Sequence, residues 1–294
     1  MYLSKGTGYI PDLVDPRDQT PDHPQIASLL GPIPPVAREL LPPSVDLRKW
    51  CPPIVDQEHV NACTANAAAG LIGFFENKAF GTSLAASRLF IYKVTRNYLG
   101  TLADNGAYLR TTMQTLATFG APPEKYWPYW TALVDVEPPT FDYVLARNYR
   151  TTAYYRYDPA GIPRDELLYR IKSHLNANLP AMFGFSVFPS SFQALHSGKI
   201  PYPSPSELPM DGHAMVVVGY DDNMEIDNVN PLTGVTLSTT GAFIIRNCWG
   251  TSWGEKGYGY LPYKYVLNNL ANDWWSLIKQ EWVDTGNFGG SSAM

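Results

Sequence analysis

The sequence is poor in cysteine and in charge, and it has no long apolar run. Only 3 of its 294 residues are cysteine, and such a small, odd number does not support a disulfide framework. Charged residues make up 17% of the chain and the formal net charge is −5, without a basic run among aromatics, which argues against a nucleic-acid binder. No apolar run approaches the roughly 18 residues needed to span a bilayer, so we expect no membrane partner.

The chain nevertheless has the material for a large folded core. Hydrophobic residues make up 45% of it, enough for one large domain or two lobes that share a cleft. The first residues, MYLSKGTGYIPDLVDPRDQTP, lack the apolar core of a signal peptide. The location of the protein therefore stays open: the cytoplasm, export by another route, or a leader already removed.

Composition divides the chain into three parts. Residues 1–41 are rich in proline and aspartate and have little periodicity, which predicts an extended N-terminal arm. Residues 42–284 form the predicted folded domain, and residues 285–294 form a predicted disordered tail. We call residues 1–41 the arm.

Within the domain, helical patterns come first and strand patterns follow. Amphipathic or alanine-rich segments predict helices at 63–79, 84–98, 107–120 and 164–178. Short apolar runs predict strands at 181–188, 213–220 and 241–248 and a hairpin strand at 254–263. Between the second and third strands lies a polar stretch that predicts an exposed hairpin or loop. This order indicates an α+β fold of two lobes.

Cys63 stands where a polar loop turns into the first long helix. A helix N-terminus carries partial positive charge and free amides, so it favours the thiolate, which is the reactive form of cysteine. The common alternative is that Cys63 is a small buried packing residue. A metal pair with His59, four residues earlier, is disfavoured because no further Cys or His cluster accompanies it.

Three other residues could complete a catalytic group around Cys63. His213 opens a predicted strand and could act as the base, and Asn247 ends another strand and could orient the imidazole. The Gln57 side chain and the Cys63 backbone N–H could together bind an oxyanion. Taken singly, a histidine before an apolar strand and an asparagine at a strand end more often have structural roles.

Three sequence blocks then add a family resemblance. The segments DQEHVNACTANA, GHAMVVVGYDD and IIRNCWGTSWGEKGYGYL resemble, in order, the active-site blocks of papain-like cysteine proteases, and the arm segment GYIPDLVDPRDQ resembles that of bacterial members. The resemblance covers residues 41–267. It implies a papain-like two-lobe fold, with a helical left lobe and an antiparallel β-barrel-like right lobe on either side of the active-site cleft. It also implies a cysteine endopeptidase that acts on peptides or proteins through an acyl-enzyme, as a monomer without a cofactor or metal.

The resemblance also assigns roles to individual residues. Cys63 matches the nucleophile, His213 the general base and acid, Asn247 the orienting amide and Gln57 the oxyanion-hole side chain. Trp249 matches the indole that shields the Asn–His hydrogen bond.

Further positions match the family's substrate-binding residues. Gly106 and Ala107 match the strip whose backbone pairs with an extended substrate. The pocket for the second residue before the cut is predicted at Ala107, Tyr108, Asp211 and Ala214, with Gly212 beside it.

The chain departs from the family pattern at several positions. The two half-cystine positions beside the nucleophile and the strip hold Val60 and Asp104. Thr64 replaces a buried tryptophan, and Asn61 replaces a glycine near the strip. The segment between His213 and Asn247 is longer than is usual in the family.

Some alternatives stay open at this stage. The oxygen ligands of Asp221, Asn223, Glu225 and Asp227 could hold calcium, although a plain polar loop is the simpler interpretation. Cys248 is expected to be a buried packing residue. The alternative functions are a deamidase-like acyl transfer, or a binding protein whose cleft its own arm has closed. The arm itself could be a built-in regulator that covers the cleft or a disordered leader.

Overall fold

The computed structural model describes residues 5–31, 36–229 and 234–288. The α-helices are α1 Pro24–Leu30, α2 Cys63–Phe80, α3 Arg88–Leu99, α4 Leu109–Thr118, α5 Thr140–Ala146, α6 Arg164–Asn176, α7 Lys264–Leu267 and α8 Gln280–Asp284. The strands are β1 Tyr9–Ile10, β2 Ser44–Asp46, β3 Ala107–Tyr108, β4 Ala153–Arg156, β5 Ala181–Val187, β6 Asp211–Val229, β7 Thr236–Arg246, β8 Tyr258–Pro262 and β9 Ala271–Ile278.

Helix α2 is the central element of the helical lobe. Its alanines and glycines let neighbouring side chains pack closely against it, and a Cβ on Gly73 would lie only 2.7 Å from the ring of Pro52. The helix ends at Gly81, whose φ of 73° is left-handed and whose N–H donates to the carbonyl of Asn77. Because nearly the whole first half of α2 is buried, its N-terminal residue Cys63 is held rigidly.

The second lobe is built on an antiparallel sheet. Its strands follow the order β4-β9-β5-β6-β7-β8, and β2 pairs with the middle of β6. Strand β5 pairs with the first part of β6, so that Phe185 lies opposite His213. The predicted α+β, papain-like two-lobe architecture is confirmed.

The polar stretch between the second and third predicted strands is a β-ribbon. Beyond the sheet, β6 and β7 continue to pair, from Glu225 opposite Thr240 to Val229 opposite Thr236. Of the two structures that the sequence allowed here, a hairpin or a loop, the hairpin is the one observed. Residues 230–233 at its tip lie outside the described part.

Described residues near both ends of the chain pack on its body. The arm is extended at β1, which pairs in parallel with β3, but it also contains α1, where Ile26 and Leu30 are buried. At the other end, Phe288 packs on Phe75 at 5.0 Å between ring centroids. The rest of the predicted tail, residues 289–294, lies outside the described residues. Across the described ranges, no helix is long and apolar enough to cross a bilayer.

Candidate active site

Cys63 is the first residue of α2 and is completely buried. Burial raises the pKa of its thiol well above the ordinary value, and the nearby Cys248 raises it further. The backbone amides of Ala214 and Thr64 act in the opposite direction, because they stabilise the thiolate. The expected thiolate is therefore disfavoured in this structure, where the site is covered.

The imidazole of His213 lies beside two residues that follow β7. Its Nε2 donates to Oδ1 of Asn247 at 2.9 Å, which leaves Nδ1 as the basic nitrogen of the neutral ring. The ring stacks on the indole of Trp249 with 4.5 Å between centroids. Nδ1 is buried and has no hydrogen-bond partner among the described residues.

Burial also changes the protonation of His213. It lowers the pKa of the imidazole to about 4, although the hydrogen bond to Asn247 favours the charged form. Burial also raises the pKa of the Cys63 thiol, so the two pKa shifts together favour a neutral thiol and a neutral imidazole. The free nitrogen of His213 can accept a proton, but exclusion of water opposes the ion pair.

The side chain of Gln57 is fully buried and held at both ends. Its Nε2 donates to the carbonyl of Val60 at 2.8 Å, and its Oε1 accepts from the thiol of Cys248 at 2.7 Å. An amide nitrogen carries two hydrogens, so one N–H of Gln57 stays available. Cys248 was expected to be a packing residue. It is buried, but it also orients this amide.

Asp104 makes contacts where the family carries a disulfide. Its carboxylate accepts from the backbone N–H of Asn61 at 3.1 Å and from the hydroxyl of Tyr92 at 2.5 Å. The Asn61 side chain in turn donates to the Asp104 carbonyl at 2.7 Å. The same tyrosine hydroxyl accepts from the N–H of Gly106 at 3.0 Å. A hydrogen-bond network thus ties the loop before Cys63 to the strip at Gly106.

The arm lies along the predicted substrate strip. The N–H of Ala107 donates to the carbonyl of Gly8 at 2.8 Å, and the N–H of Gly8 donates to the carbonyl of Gly212 at 3.1 Å. A Cβ on Gly106 would lie 2.1 Å from the Gly8 carbonyl oxygen. Gly8 therefore bridges the two lobes across the cleft, through backbone groups of the predicted substrate-binding residues Ala107 and Gly212.

The residues before Gly8 pass close to the predicted catalytic residues. The indole of Trp249 donates to the carbonyl of Gly6 at 3.1 Å. A Cβ on Gly6 would lie 2.0 Å from the carbonyl oxygen of Val60 and 3.0 Å from Nε2 of Gln57. Just before Gly6, Lys5 forms a 2.5 Å ion pair with Asp56. The fit is so close that only a residue without a side chain can pass here.

The remaining predicted substrate-binding residues lie around β1 of the arm. Ala107 and Ala214 are fully buried, and Tyr108 is partly buried and pairs with Ile10. Asp211 is exposed and accepts a hydrogen bond from the hydroxyl of Thr7.

The other residues considered for metal binding are not brought together. His59 is exposed whereas Cys63 is fully buried. Within the described residues, no group of three or more His, Cys, Asp or Glu side chains is arranged to hold a metal ion. The acidic run that begins at Asp221 lies along β6 at the base of the ribbon. All three cysteines, including the partly buried Cys51, are free.

Sequence comparison relates most of the chain to known proteases. The family profile described as "Papain family cysteine protease" matches residues 41–272. The chain is 34% identical to an uncharacterised peptidase C1-like protein of Acanthamoeba polyphaga mimivirus, over 78% of this chain and 70% of that protein. It is 28% identical to cathepsin K of Mus musculus, over 75% of this chain and 60% of that protein.

Solved structures show the same architecture. Xylellain, a cysteine protease from Xylella fastidiosa, is 33% identical, with a TM-score of 0.73 over 94% of this chain and 97% of that one. Digestive procathepsin L 3 of Tenebrio molitor is 17% identical, with a TM-score of 0.61 over 95% of this chain and 77% of that one, and shares the fold.

Proposed function

Because the chain belongs to the papain family of cysteine proteases, and is therefore a cysteine peptidase, we propose that it cleaves peptide bonds with Cys63 as nucleophile and His213 as base. The observation that carries this proposal is the buried imidazole of His213. Asn247 holds its Nε2, and its Nδ1 has no partner in the described structure. Such a nitrogen is suited to take the thiol proton.

The proposed reaction has two stages. First, the Cys63 thiol passes its proton to His213 Nδ1, and the sulfur attacks the carbonyl carbon of the scissile bond. The oxyanion that forms is stabilised by the backbone N–H of Cys63 and the free N–H of Gln57. His213 then protonates the leaving amine as the C–N bond breaks, which leaves a thioester on Cys63. A water molecule deprotonated by His213 hydrolyses the thioester and frees the thiol.

We further propose that the arm inhibits the enzyme in cis. The arm uses the backbone groups of Ala107 and Gly212 that an extended substrate would need, and the Gly6 carbonyl accepts from Trp249. The docked arm also excludes water from the site. This burial is the main cause of the lowered pKa of His213. Departure of the arm would admit both substrate and water, so the thiolate–imidazolium pair becomes accessible.

Substitution of the nucleophile tests the peptidase mechanism. Cys63→Ala should abolish cleavage of a fluorogenic peptide and labelling by a thiol-directed epoxide. Cys51→Ala is the matched control, because Cys51 is a free thiol with no proposed role, and it should keep both activities. Full cleavage by the Cys63→Ala variant would contradict the proposal.

A glycine substitution in the arm tests the inhibition. Gly8 has a φ of 103°, and a Cβ there would lie 2.3 Å from the carbonyl oxygen of Asn61. Strain of this kind costs about 1–3 kcal/mol, so Gly8→Ala should raise kcat/KM on short peptides by about tenfold or more. Gly31→Ala is the matched control, since Gly31 also lies in the arm with positive φ but has open space around it. Equal kinetics of the two variants would refute inhibition by the arm.

A further inference from the structure

Arg88 is a buried cation that has no part in the reaction proposed above. It is the first residue of α3 and is 8% exposed. A helix N-terminus carries partial positive charge, which opposes a cation there, so the stability of α3 does not account for this residue. Its Nε and Nη2 donate to the two carboxylate oxygens of Glu124, both at 2.8 Å. Glu124 thus neutralises the guanidinium and fixes its plane.

The remaining nitrogen of Arg88 reaches the segment that carries Gln57. We call residues 56–62 the Gln57 loop. Nη1 of Arg88 donates to the carbonyl of Asp56 at 3.2 Å. The guanidinium also lies 3.9 Å from the centroid of the Tyr129 ring, and the hydroxyl of Tyr129 donates to the carbonyl of Gln57 at 2.9 Å. Arg88 therefore holds two consecutive carbonyls of the loop, one directly and one through Tyr129.

The same nitrogen joins the Gln57 loop to α2. Nη1 of Arg88 also donates to Oδ1 of Asn66 at 3.1 Å, and Asn66 is 1% exposed. Nδ2 of Asn66 donates to the carbonyl of Ala62, the residue before Cys63, at 2.9 Å. Arg88 thus fixes the Gln57 loop relative to the start of α2, and these two segments carry the two proposed oxyanion donors.

The Gln57 loop needs such support from outside. Glu58 has a positive φ of 56°, a conformation that residues other than glycine rarely adopt. The fully buried side chain of Gln57 has to direct its free N–H at one point in the cleft. A misplacement of about 1 Å at such a group can cost about a hundredfold in rate. The position of this loop therefore matters to the proposed chemistry.

A structural link between α3 and the segment that carries Glu124 exists without Arg88. The backbone N–H of Ser87 donates to the carbonyl of Pro122 at 2.8 Å, and its hydroxyl donates to the carbonyl of Trp127 at 2.6 Å. These bonds need no charge. Arg88 adds to them the contacts with the Gln57 loop and with α2.

We propose that Arg88, oriented by Glu124, is a positioning residue of the oxyanion site and acts through Gln57. The proposal rests on the peptidase function proposed above. The guanidinium does not touch the substrate. It fixes the Gln57 loop so that the free N–H of Gln57 and the backbone N–H of Cys63 converge on one oxygen. Lysine cannot replace it, because a single ammonium lacks the planar fork that binds several partners at once.

Kinetics in the full chain that carries Gly8→Ala test the proposal. Arg88→Met should lower kcat about ten- to a hundredfold with little change in KM, because an oxyanion donor acts on the transition state. Arg88→Lys should recover only a small part of this loss. Lys93→Met is the matched control, since Lys93 is a buried cation of the same helix and pairs with Glu137 at 3.3 Å. Its kcat should stay near that of the parent, and equal losses in the two methionine variants would overturn the proposal.

A further variant separates catalysis from stability. Arg88→Met leaves the partly buried carboxylate of Glu124 without its partner, which by itself destabilises the fold. Adding Glu124→Gln removes that charge, so the midpoint of denaturant unfolding should return towards that of the parent while kcat stays low. Recovery of kcat together with the midpoint would show that Arg88 acts on stability alone.

A double-mutant cycle tests whether Arg88 acts through Gln57. Gln57→Ala should lower kcat by about a hundredfold or more. The variant with both Arg88→Met and Gln57→Ala should be less than about twofold slower than Gln57→Ala, because the donor that Arg88 positions is already gone. Fully additive losses would place the effect of Arg88 elsewhere and would contradict the proposal.

Hydrogen exchange separates this proposal from the peptidase function. The backbone N–H of Gln57 donates to the carbonyl of Cys248 at 2.8 Å. In the full chain, Arg88→Met should speed the exchange of this amide at least about tenfold, whereas Lys93→Met should leave it unchanged. If Cys63→Ala still cleaves peptides but this pattern holds, the peptidase mechanism fails and the fixation of the Gln57 loop by Arg88 stands. Unchanged exchange in Arg88→Met would refute that fixation.

Discussion

Acidification should strengthen the closure of the cleft by the arm. Asp12 of the arm lies beside Asp273, and its carboxylate accepts from the indole of Trp275 at 2.9 Å and from the backbone of Arg110. Burial, and then the charge of Asp273, raise the pKa of Asp12 from 3.8 to about 7, despite the opposing effect of Arg110. Asp158 is a further carboxyl group next to Asp273, and burial raises its pKa to about 6.

The sign of the effect follows from proton linkage. The docked arm holds the proton of Asp12 more tightly than the free arm, so its contribution to docking is fully present below the ordinary pKa of 3.8 and is lost as pH rises through about 7. At about 1.4 kcal/mol per pKa unit, the full shift corresponds to about 4 kcal/mol. Between about pH 4 and pH 7 the docking constant should fall by up to about tenfold per pH unit.

The assay compares the parent protein with a variant whose side chain at position 12 cannot ionise. Asp12→Asn resembles the protonated carboxyl, so its arm should stay docked across the range. The rate of Cys63 labelling by a thiol-directed epoxide is measured from pH 5 to pH 8, and the parent rate is divided by the Asp12→Asn rate at each pH. Thiol ionisation cancels in this ratio. We expect this ratio to rise at least about tenfold between pH 5 and pH 7 and to level off towards pH 8, and a flat ratio would refute the role of Asp12.

Substitutions at three positions test the remaining contacts of the site. Cys248→Ala should lower kcat several-fold with little change in KM, because the Gln57 amide loses the donor that orients it, and Cys248→Ser should restore most of the loss. Asn247→Ala should lower kcat by about tenfold or more through loss of the His213 orientation, and a change confined to KM would count against this role. Asp104→Ala should destabilise the fold by about 1–3 kcal/mol in denaturant unfolding, since it leaves buried donors unpaired, and an unchanged midpoint would show that the network is dispensable.

The sequence was sufficient to predict the helix and strands that carry the proposed catalytic residues. The alanine-rich segment after Cys63 favours an α-helix, and α2 begins at Cys63 as predicted. The apolar runs that contain His213 and lead to Asn247 are strands for the same local reason, and the structure pairs their side chains at 2.9 Å. Local periodicity works here because each residue stands at the end of a strongly patterned element.

Contacts between distant segments could not be predicted from such patterns. Strand β9 has the polar residues Asn272 and Asp273 near its start and was not predicted, yet it lies between β4 and β5 and buries Trp274 and Trp275 completely. Asp273 stands in that strand and reaches the cleft only because the sheet places β9 beside β5. The sequence likewise showed that Val60 and Asp104 replace a cystine pair, but not that hydrogen bonds to Asn61 and Tyr92 would link the same loops.

The arm shows most clearly which features the sequence determines and which depend on the tertiary structure. Its prolines and aspartates predicted an extended segment, because proline restricts the backbone and carries no donor. Nothing local to the arm indicated that Gly8 would bridge Ala107 and Gly212 or that Tyr9 would reach Asp273. Composition determines which conformations a segment can adopt, whereas the surface against which it lies is decided by partners far away in the chain, and those are brought together only by the tertiary structure.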